Sequence, residues 1–227
     1  MKNVGILGAT GYAGQQLLGL LRTHPQIKIE FIASHSYEGQ EFSSIYENYS
    51  YEFNKVCISN TQVEKYLNKI DLLFIALPHG KAFEITNAVA THRHTPEIEQ
   101  EAGKISKKEI TLTFTPHLVP MNRGILSVIY AKLREDIEEK ELKKIYSEEY
   151  HGDKFIRIKD TLPETRWVKG SNYCDITVRV DKRTGRVIII SAIDNLMKGA
   201  AGQAIQNMNA IFGFEEATGI DFISIFP

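Results

Sequence analysis

Three glycines at a regular spacing constrain the fold of this chain more than any other feature. Gly8, Gly11 and Gly14 stand three residues apart in GATGYAG, directly after the apolar segment VGIL. Apolar residues at helical spacing follow this turn, and a second apolar segment follows them. A strand, a glycine turn, a helix and a strand in this order are typical of the βαβ unit that opens a Rossmann-type domain. The predicted elements are a strand at 4–7, a helix at 15–22 and a strand at 27–33.

The glycine turn also predicts nucleotide binding. Glycines allow a tight turn, and they let backbone N–H groups at the start of the helix approach a pyrophosphate. The competing interpretation is a glycine-rich turn between strand and helix that binds nothing. The strand and helix on either side favour a nucleotide, because the motif then stands in its usual context. The predicted cofactor contacts in this turn are Gly8, Thr10, Gly11, Tyr12, Ala13 and Gly14.

The residues after the second predicted strand bear on the choice between NAD and NADP. Folds that prefer NAD usually carry Asp or Glu at this point, where the carboxylate binds the ribose hydroxyls. Here the sequence is Ser34, His35 and Ser36, while Glu30 lies within the strand and Glu38 lies beyond it. We therefore predict NADP, with Ser34 among its contacts.

A longer apolar run, IDLLFIAL at 70–77, predicts another strand of the same sheet. Its continuous apolar character is typical of a strand buried on both faces of a parallel sheet. The run ends at Pro78, His79 and Gly80, and a helix is predicted at 81–90. Because Rossmann folds bind ligands at the carboxyl edge of the strands, Pro78, His79 and Gly80 are predicted cofactor contacts. The alternative is a plain turn between strand and helix.

Beyond residue 90 the pattern becomes rich in strands and predicts an α+β domain with a mainly antiparallel sheet. The segment DKRTG at 181–185 ends in glycine and predicts a hairpin turn. An amphipathic helix is predicted at 137–150. The fold class is therefore α/β, with a Rossmann-type parallel sheet followed by this α+β domain. The later predicted strands are 111–115, 126–133, 155–159, 172–180 and 187–193.

Composition disfavours several other classes of protein. The 227 residues carry a net charge of −1, so we expect a small molecule as ligand and neither nucleic acid nor a membrane as partner. Cys57 and Cys174 are the only cysteines and lack the spacing of a zinc site. We therefore expect no disulfide framework, no metal and a reducing cytoplasm. No run reaches transmembrane length, and no targeting segment is expected.

Seven blocks of sequence occur in order along nearly the whole chain. They are GATGYAG, LPHG, HRHTPEIEQ, FTPHLVPMNRGIL, GSNYCDI, VDKRTGR and SAIDNLMKGAAGQAIQNMN. Together they resemble the N-acetyl-γ-glutamyl-phosphate reductase family. The resemblance implies an architecture similar to that of aspartate-semialdehyde and glyceraldehyde-phosphate dehydrogenases, and a homo-oligomer. It implies the NADPH-dependent reduction of an acyl phosphate to an aldehyde in arginine biosynthesis.

The HRHTPE block predicts the start of a helix beside a histidine. Thr95 is a suitable N-cap and Pro96 suits the first helical position, so His94 is expected beside the positive end of the helix dipole. That position disfavours the protonated imidazole. The resemblance makes His94 the general acid/base and Glu97 its orienting partner. The alternative is that His92 and His94 are polar loop residues and that Glu97 only complements the helix dipole.

Arg123, Gly199 and Ala200 complete the predicted site. Arg123 is a candidate partner of a substrate carboxylate or phosphate, because a guanidinium binds such groups through two hydrogen bonds; the alternative is a structural ion pair. Gly199 and Ala200 open the predicted C-terminal helix, and the resemblance places them beside NADP. The alternative for these two is close helix packing.

One departure from the family concerns its nucleophile. The resemblance implies, between LPHG and HRHTPE, the later Rossmann strands and an Asn-Pro-Gly-Cys segment whose cysteine forms a thioester that accepts the hydride. Here Ala90 is followed directly by Thr91 and His92, so roughly a hundred residues are missing. Cys57 and Cys174 stand in strand-like segments and are expected to be buried and inert.

Two hypotheses follow from this departure. The first is that the chain is an NADPH-dependent N-acetyl-γ-glutamyl-phosphate reductase. The second is that it is an internally deleted, inactive member that binds NADP or acts only as an interaction subunit, without measurable reductase activity. Loss of the later strands also exposes the parallel sheet unless the chain repacks or a partner covers it. We assign 1–90 and 195–227 to an incomplete Rossmann-type NADP-binding domain and 91–194 to the substrate and oligomerisation domain.

Overall fold

The computed structural model describes residues 1–50, 52–77, 94–117 and 119–225. Contacts between Cα atoms divide the chain into two compact units: Met1–Leu77 with Asn122–Pro227, called the first unit, and Pro78–Met121, called the second unit. Pro78, His79, Gly80 and the predicted helix at 81–90 lie outside the described residues. The predicted division into cofactor and substrate domains concerns ligand binding and stays a prediction.

A parallel sheet of four strands opens the first unit. Its elements are β1 (Lys2–Leu7), α1 (Tyr12–Leu21), β2 (Ile27–Ala33), α2 (Phe42–Ile45), β3 (Cys57–Ile58), a 3₁₀ helix (Asn60–Lys69) and β4 (Leu72–Ile75). The strand order is β3-β2-β1-β4 and every pair is parallel. The Rossmann-type start predicted from the glycine turn is therefore confirmed.

β4 is shorter and more exposed than its apolar sequence predicts. The strand predicted at 70–77 is reduced to Leu72–Ile75, and Ile75 is 65% exposed. Among the described strands, β4 pairs with β1 alone and so stands at the edge of the sheet. Burial of both faces is therefore wrong for this strand. The reason is that burial depends on the elements that cover a strand, whereas an apolar run records only the character of its own side chains.

The second unit contains α3 (His94–Ser106) and an irregular segment after it. The helix starts earlier than predicted, so Thr95 and Pro96 lie in its first turn, where proline is tolerated because those N–H groups have no acceptor within the helix. The strand predicted at 111–115 is wrong, because these residues pair with no described strand. The Leu112 N–H instead donates to the carboxylate of Glu99 at 2.9 Å.

A second sheet of four strands occupies the later part of the first unit. Its elements are β5 (Ile125–Lys132), α4 (Glu139–Glu149), β6 (Ile156–Ile158), β7 (Cys174–Asp181) and β8 (Arg186–Ile193). The strand order is β5-β8-β7-β6, and β7 and β8 form the predicted hairpin. β8 is antiparallel to both its neighbours, whereas β6 and β7 are parallel. The sheet is thus mixed, with antiparallel pairs in the majority.

The C-terminal segment packs against the first sheet and its helix. A π-helical turn (Met197–Ala201) leads directly into α5 (Gly202–Phe212). Ile205 and Met208 of α5 are buried in one apolar cluster with Leu17 and Leu21 of α1 and Ile6 of β1. This cluster is the main core of the first unit, and it includes residues of β1 and α1, the two elements that flank the glycine turn. None of the helices in the described part of the chain is long and apolar enough to cross a membrane.

Candidate active site

The fold requires glycine at two positions of the turn between β1 and α1. Gly8 has a φ of +82°, and a Cβ there would lie 2.5 Å from the carbonyl oxygen of Ala76. A Cβ on Gly14 would lie 2.2 Å from the carbonyl oxygen of Gly8. Any side chain at these positions would collide with backbone atoms. Gly8 therefore allows the turn itself, and Gly14 allows α1 to pack closely against it.

Gly11 differs from the other two glycines, because no described residue requires glycine there. Its φ is −77°, which any residue adopts, and the heavy atom nearest to its Cβ position is the Gly8 oxygen at 3.6 Å. The residue is exposed. A ligand that approaches the backbone from outside accounts for such a glycine, as the pyrophosphate does at the second glycine of dinucleotide-binding turns.

The start of α1 is suited to bind an anion. Gly11 is the N-cap residue, makes no side-chain hydrogen bond and is followed by a first turn without acidic residues. The first N–H groups of a helix have no acceptor within it and carry the positive end of the helix dipole. Tyr12 is 84% exposed and Ala13 is half-buried. The turn can therefore hold a phosphate through its backbone.

Side chains from later in the chain hold the glycine turn in shape. The hydroxyl oxygens of Thr10 and Ser34 lie 2.8 Å apart, and the Tyr46 hydroxyl donates to the Thr10 carbonyl oxygen at 2.6 Å. The Ser34 hydroxyl also accepts from the Tyr37 N–H at 3.3 Å. Ser34 is buried, so the contacts described for it support the turn. Tyr46 was not predicted as a site residue, because no motif marks a side chain that the fold brings in from a distant segment.

The surface after β2 has no acidic side chain at the positions that select NAD. His35 and Ser36 are both exposed there. Glu30 pairs with Lys28 within β2, with 3.2 Å between the nitrogen and the carboxylate oxygen. Glu38 is exposed and lies beyond the end of the strand. No carboxylate therefore occupies positions 34–36, where it would repel a 2′-phosphate.

A cavity of about 290 Å³ lies along the outer face of α1 and begins at the glycine turn. Its helical residues recur at a spacing of one turn, so they share one face of α1. Its volume is just below the range of about 300–1,000 Å³ that is typical of sites for small molecules. The cavity is lined by Tyr12, Gln15, Gln16, Gly19, Asn48, Tyr49, Arg123 and Leu196.

Arg123, which was predicted to bind substrate, contacts a buried carboxylate. Its Nε lies 2.9 and 2.8 Å from the two carboxylate oxygens of Asp194, and one terminal nitrogen donates to Gln16 at 3.3 Å. The Asp194 side chain is 0% exposed. The ion pair that the sequence left open as the alternative is therefore present, and a contact of Arg123 with substrate stays a prediction. Asp194 also accepts from the N–H groups of Gly170, Leu196 and Met197.

Gly199 and Ala200 lie in the π-helical turn before α5, which packs against α1. A Cβ on Gly199 would find its nearest heavy atom at 3.4 Å, an ordinary contact distance. Gly202, in contrast, is crowded, since a Cβ there would lie 2.3 Å from Oδ1 of Asn172. Close packing therefore explains Gly202 but not Gly199. The place of Gly199 and Ala200 beside the cofactor stays a prediction.

The predicted acid/base pair stands at the start of α3 in the second unit. His94 is the first residue of the helix, and Glu97 lies in its first turn. Glu97 is exposed, and the side chain of His94 lies outside the described part of the chain. Positions three apart on a helix are neighbours, which is compatible with Glu97 orienting His94. The roles of both residues stay predictions.

Both cysteines lie where a thiolate is disfavoured. Cys57 in β3 is fully buried, and burial raises the pKa of its thiol to about 11. Burial also raises the pKa of Cys174, although the nearby Lys198 ammonium has a smaller opposite effect. The thiolate is the form that attacks acyl groups and phosphates. Each position therefore favours the unreactive thiol.

Two family models match this chain, one after the other. The semialdehyde dehydrogenase NAD-binding domain matches residues 3–96, and the semialdehyde dehydrogenase dimerisation domain matches residues 81–195. The N-acetyl-gamma-glutamyl-phosphate reductase of Clostridium novyi is 32% identical over 343 aligned positions, which span 99% of this chain and 99% of the relative. That of Pelotomaculum thermopropionicum is 31% identical over 344 positions, again spanning 99% of each.

The length of the alignment with the Clostridium novyi relative also shows that this chain lacks internal positions that the relative has. Its 343 positions exceed the 227 residues of the chain by 116, so at least that many positions of the relative have no counterpart here. Because the alignment spans nearly all of both chains, these positions lie inside the protein and not at its ends. This agrees with the segment inferred to be missing between LPHG and HRHTPE.

Solved structures confirm the fold class. Aspartate semialdehyde dehydrogenase II of Vibrio cholerae, complexed with ASA, has a TM-score of 0.60 at 15% identity and covers 94% of this chain and 98% of its own. Aspartate semialdehyde dehydrogenase with NADP from Candida albicans has a TM-score of 0.59 at 15% identity, covering 90% and 96%. The seven sequence blocks, the two domain matches and the relatives agree on one assignment. The chain belongs to the N-acetyl-γ-glutamyl-phosphate reductase family of semialdehyde dehydrogenases.

Proposed function

We propose that this protein binds NADP(H) at the glycine turn and catalyses the reduction of N-acetyl-γ-glutamyl phosphate to N-acetylglutamate semialdehyde. The observation that carries the cofactor part is that the fold itself has room for a side chain at Gly11, with no heavy atom of the described residues closer than 3.6 Å to the Cβ position, so that a bound pyrophosphate explains the glycine. The reaction is supported by relatives that match along the whole chain and are named N-acetyl-gamma-glutamyl-phosphate reductase. The activity belongs to arginine biosynthesis in the cytoplasm.

Different residues of this chain bind the cofactor, bind the substrate and exchange the proton. The first-turn N–H groups of α1 hold the pyrophosphate, while Thr10 and Ser34 keep the turn in shape. The absence of a carboxylate at positions 34–36 leaves room for the 2′-phosphate. NADPH supplies the hydride, and His94, oriented by Glu97, exchanges the proton as general acid/base. The remaining predicted contacts are Pro78, His79, Gly80, Gly199 and Ala200 with the cofactor and Arg123 with the anionic substrate.

The acyl-transfer step determines whether the chain completes this reaction alone. The family reaction passes through a thioester, and this chain contains only Cys57 and Cys174. Burial raises the pKa of both thiols. The hypothesis of an inactive chain nevertheless receives no support from the relatives, which are reductases by name. Turnover therefore has to be measured directly and tested against the removal of each thiol.

The test measures binding and turnover on the same sample. NADPH is titrated calorimetrically, and the reaction is run in reverse as phosphate-dependent reduction of NADP by the semialdehyde. We expect saturable binding, with NADPH formed only when phosphate is present. Absence of NADPH binding would contradict the proposal, and binding without turnover would support the inactive alternative.

Two kinds of variant sharpen this experiment. Gly11→Ala should abolish NADPH binding and leave the fold intact, because its Cβ meets no described protein atom closer than 3.6 Å. Cys57→Ser and Cys174→Ser show whether either thiol takes part in the acyl transfer. Loss of turnover in one of them, with NADPH binding retained, would identify that cysteine as the nucleophile. Unchanged turnover in both would exclude a thioester on either residue.

We also propose that the protein forms a homo-oligomer. Residues 81–195, which include β5 to β8, match a domain described as a dimerisation domain. The molar mass in solution, measured by light scattering, tests this proposal. The mass of a single chain at all accessible concentrations would contradict it.

A further inference from the structure

Among the strands that the structure describes, β5 stands at one edge of the second sheet. Its register with β8 is unbroken from Ile125 opposite Ile193 to Lys132 opposite Arg186. On its other side, β5 pairs with no strand in the described ranges. With eight residues it is as long as β7 and β8, the other two long strands of this sheet. A free edge of this length presents a row of backbone hydrogen-bonding groups that a further strand can use.

One hydrogen bond at the end of β5 indicates which backbone groups face outward. The Leu133 N–H donates to the Gly185 carbonyl oxygen, at 3.2 Å, and so points toward the β7–β8 hairpin. In an antiparallel pair, the backbone N–H and C=O groups of successive residues point alternately toward the neighbouring strand and away from it. Ile129 and the other odd-numbered residues therefore bond to β8. Leu126, Val128 and Tyr130 present their N–H and C=O groups at the free edge.

Apart from Lys132 at its C-terminal end, β5 lacks the features that usually keep edge strands apart. Residues 125–131, ILSVIYA, contain no charge and no proline, and the pairing with β8 contains no bulge. The apolar side chains are also exposed on both faces of the strand, with Val128 at 45%, Ile129 at 50% and Tyr130 at 63%. Long, regular and apolar edges of this kind favour association with another strand.

We propose that β5 pairs in antiparallel orientation with β5 of a second copy of this chain, so that the two second sheets become continuous. Such pairing is isologous, because a strand meets its own copy across a two-fold axis and no second surface is needed. A second copy is favoured as the occupant because β5 lies within residues 81–195, which match the dimerisation domain. The inference rests on the proposed homo-oligomer and is independent of the cofactor site.

A pair of variants at one position separates backbone pairing from side-chain packing. Tyr130→Pro removes an outward N–H and leaves the hydrogen bonds to β8 in place. Tyr130→Thr removes the same aromatic ring, keeps the N–H and retains high strand propensity. By light scattering, we expect dimers for the wild type and Tyr130→Thr, and a single chain for Tyr130→Pro. Circular dichroism confirms that both variants are folded. A Tyr130→Pro dimer as tight as that of the wild type would overturn the proposal.

Hydrogen exchange at alternate amides tests the pairing in the unmodified protein. In the proposed dimer, the amides of Leu126, Val128 and Tyr130 are as protected as that of Ile129. A dimer in which these three exchange rapidly while Ile129 stays protected would overturn β5 pairing and retain the homo-oligomer. A monomer would overturn both. NADPH binding measured on the same sample reports separately on the proposed cofactor site.

Discussion

The guanidinium of Arg123 meets the carboxylate of Asp194 with its Nε 2.9 and 2.8 Å from the two oxygens. The same carboxylate accepts from the N–H groups of Gly170, Leu196 and Met197. Through these hydrogen bonds the Asp194 carboxylate connects the segment before β5 with the segment before β7 and with the start of the π-helical turn. A buried charge with this many partners holds several loops in one arrangement.

We expect Asp194→Asn to lower the free energy of unfolding by about 2–4 kcal/mol. The amide removes the charge that faces Arg123 and presents its own N–H groups to backbone donors. Urea denaturation measures this change. The control is Glu101→Gln, which breaks an exposed pair with Lys104 and should cost no more than about 0.5 kcal/mol. A loss in Asp194→Asn as small as in the control would show that the pair does not stabilise the fold.

The two alanine substitutions in the glycine turn should have opposite effects. Gly14→Ala should destabilise the fold by about 1–3 kcal/mol, because its Cβ would lie 2.2 Å from the Gly8 oxygen. Gly11→Ala should change the free energy of unfolding by less than about 1 kcal/mol and abolish NADPH binding. Thermal unfolding and calorimetric titration of both variants check this. Strong NADPH binding by Gly11→Ala would place the cofactor elsewhere.

An acidic residue after β2 should reverse the cofactor preference. Ser36 is exposed near the start of the loop that follows β2. Ser36→Asp should weaken NADPH binding by about tenfold or more, because the carboxylate repels the 2′-phosphate. NADH binding should be unchanged or tighter. Ser36→Asn is the neutral control of the same shape and should keep the wild-type preference. Equal effects of the two substitutions would argue against an electrostatic origin.

The thiol of Cys57 should react only at high pH in the folded protein. Burial raises its pKa from the usual 9.0 to about 11, so alkylation by iodoacetamide should rise with a midpoint near pH 11. The protonated thiol also stabilises the fold below pH 9, and this contribution is lost between pH 9 and 11, because the unfolded chain ionises first. Mass spectrometry of the labelled protein measures the rate. Rapid labelling near neutral pH would show that the thiol is accessible and activated.

The glycine turn could be predicted because its motif is local. Gly8, Gly11 and Gly14 stand close together in sequence, and a strand and a helix flank them, so their shared turn follows from spacing alone. Tyr46 and Asp194 could not be found in this way. Their contacts with Thr10 and Arg123 join distant segments, and no periodicity in a single sequence records such contacts.

The sequence by itself determined the Rossmann-type start, the β7–β8 hairpin and the family, because each depends on local patterns or on blocks in a fixed order. Only the tertiary structure decided that β4 and β5 stand at the edges of their sheets among the described strands, and that residues 111–115 pair with none of those strands. It also decided that β6 runs parallel to β7. The physical reason is that strand pairing and burial depend on which distant segments supply hydrogen bonds and cover, whereas propensity and periodicity describe each segment alone.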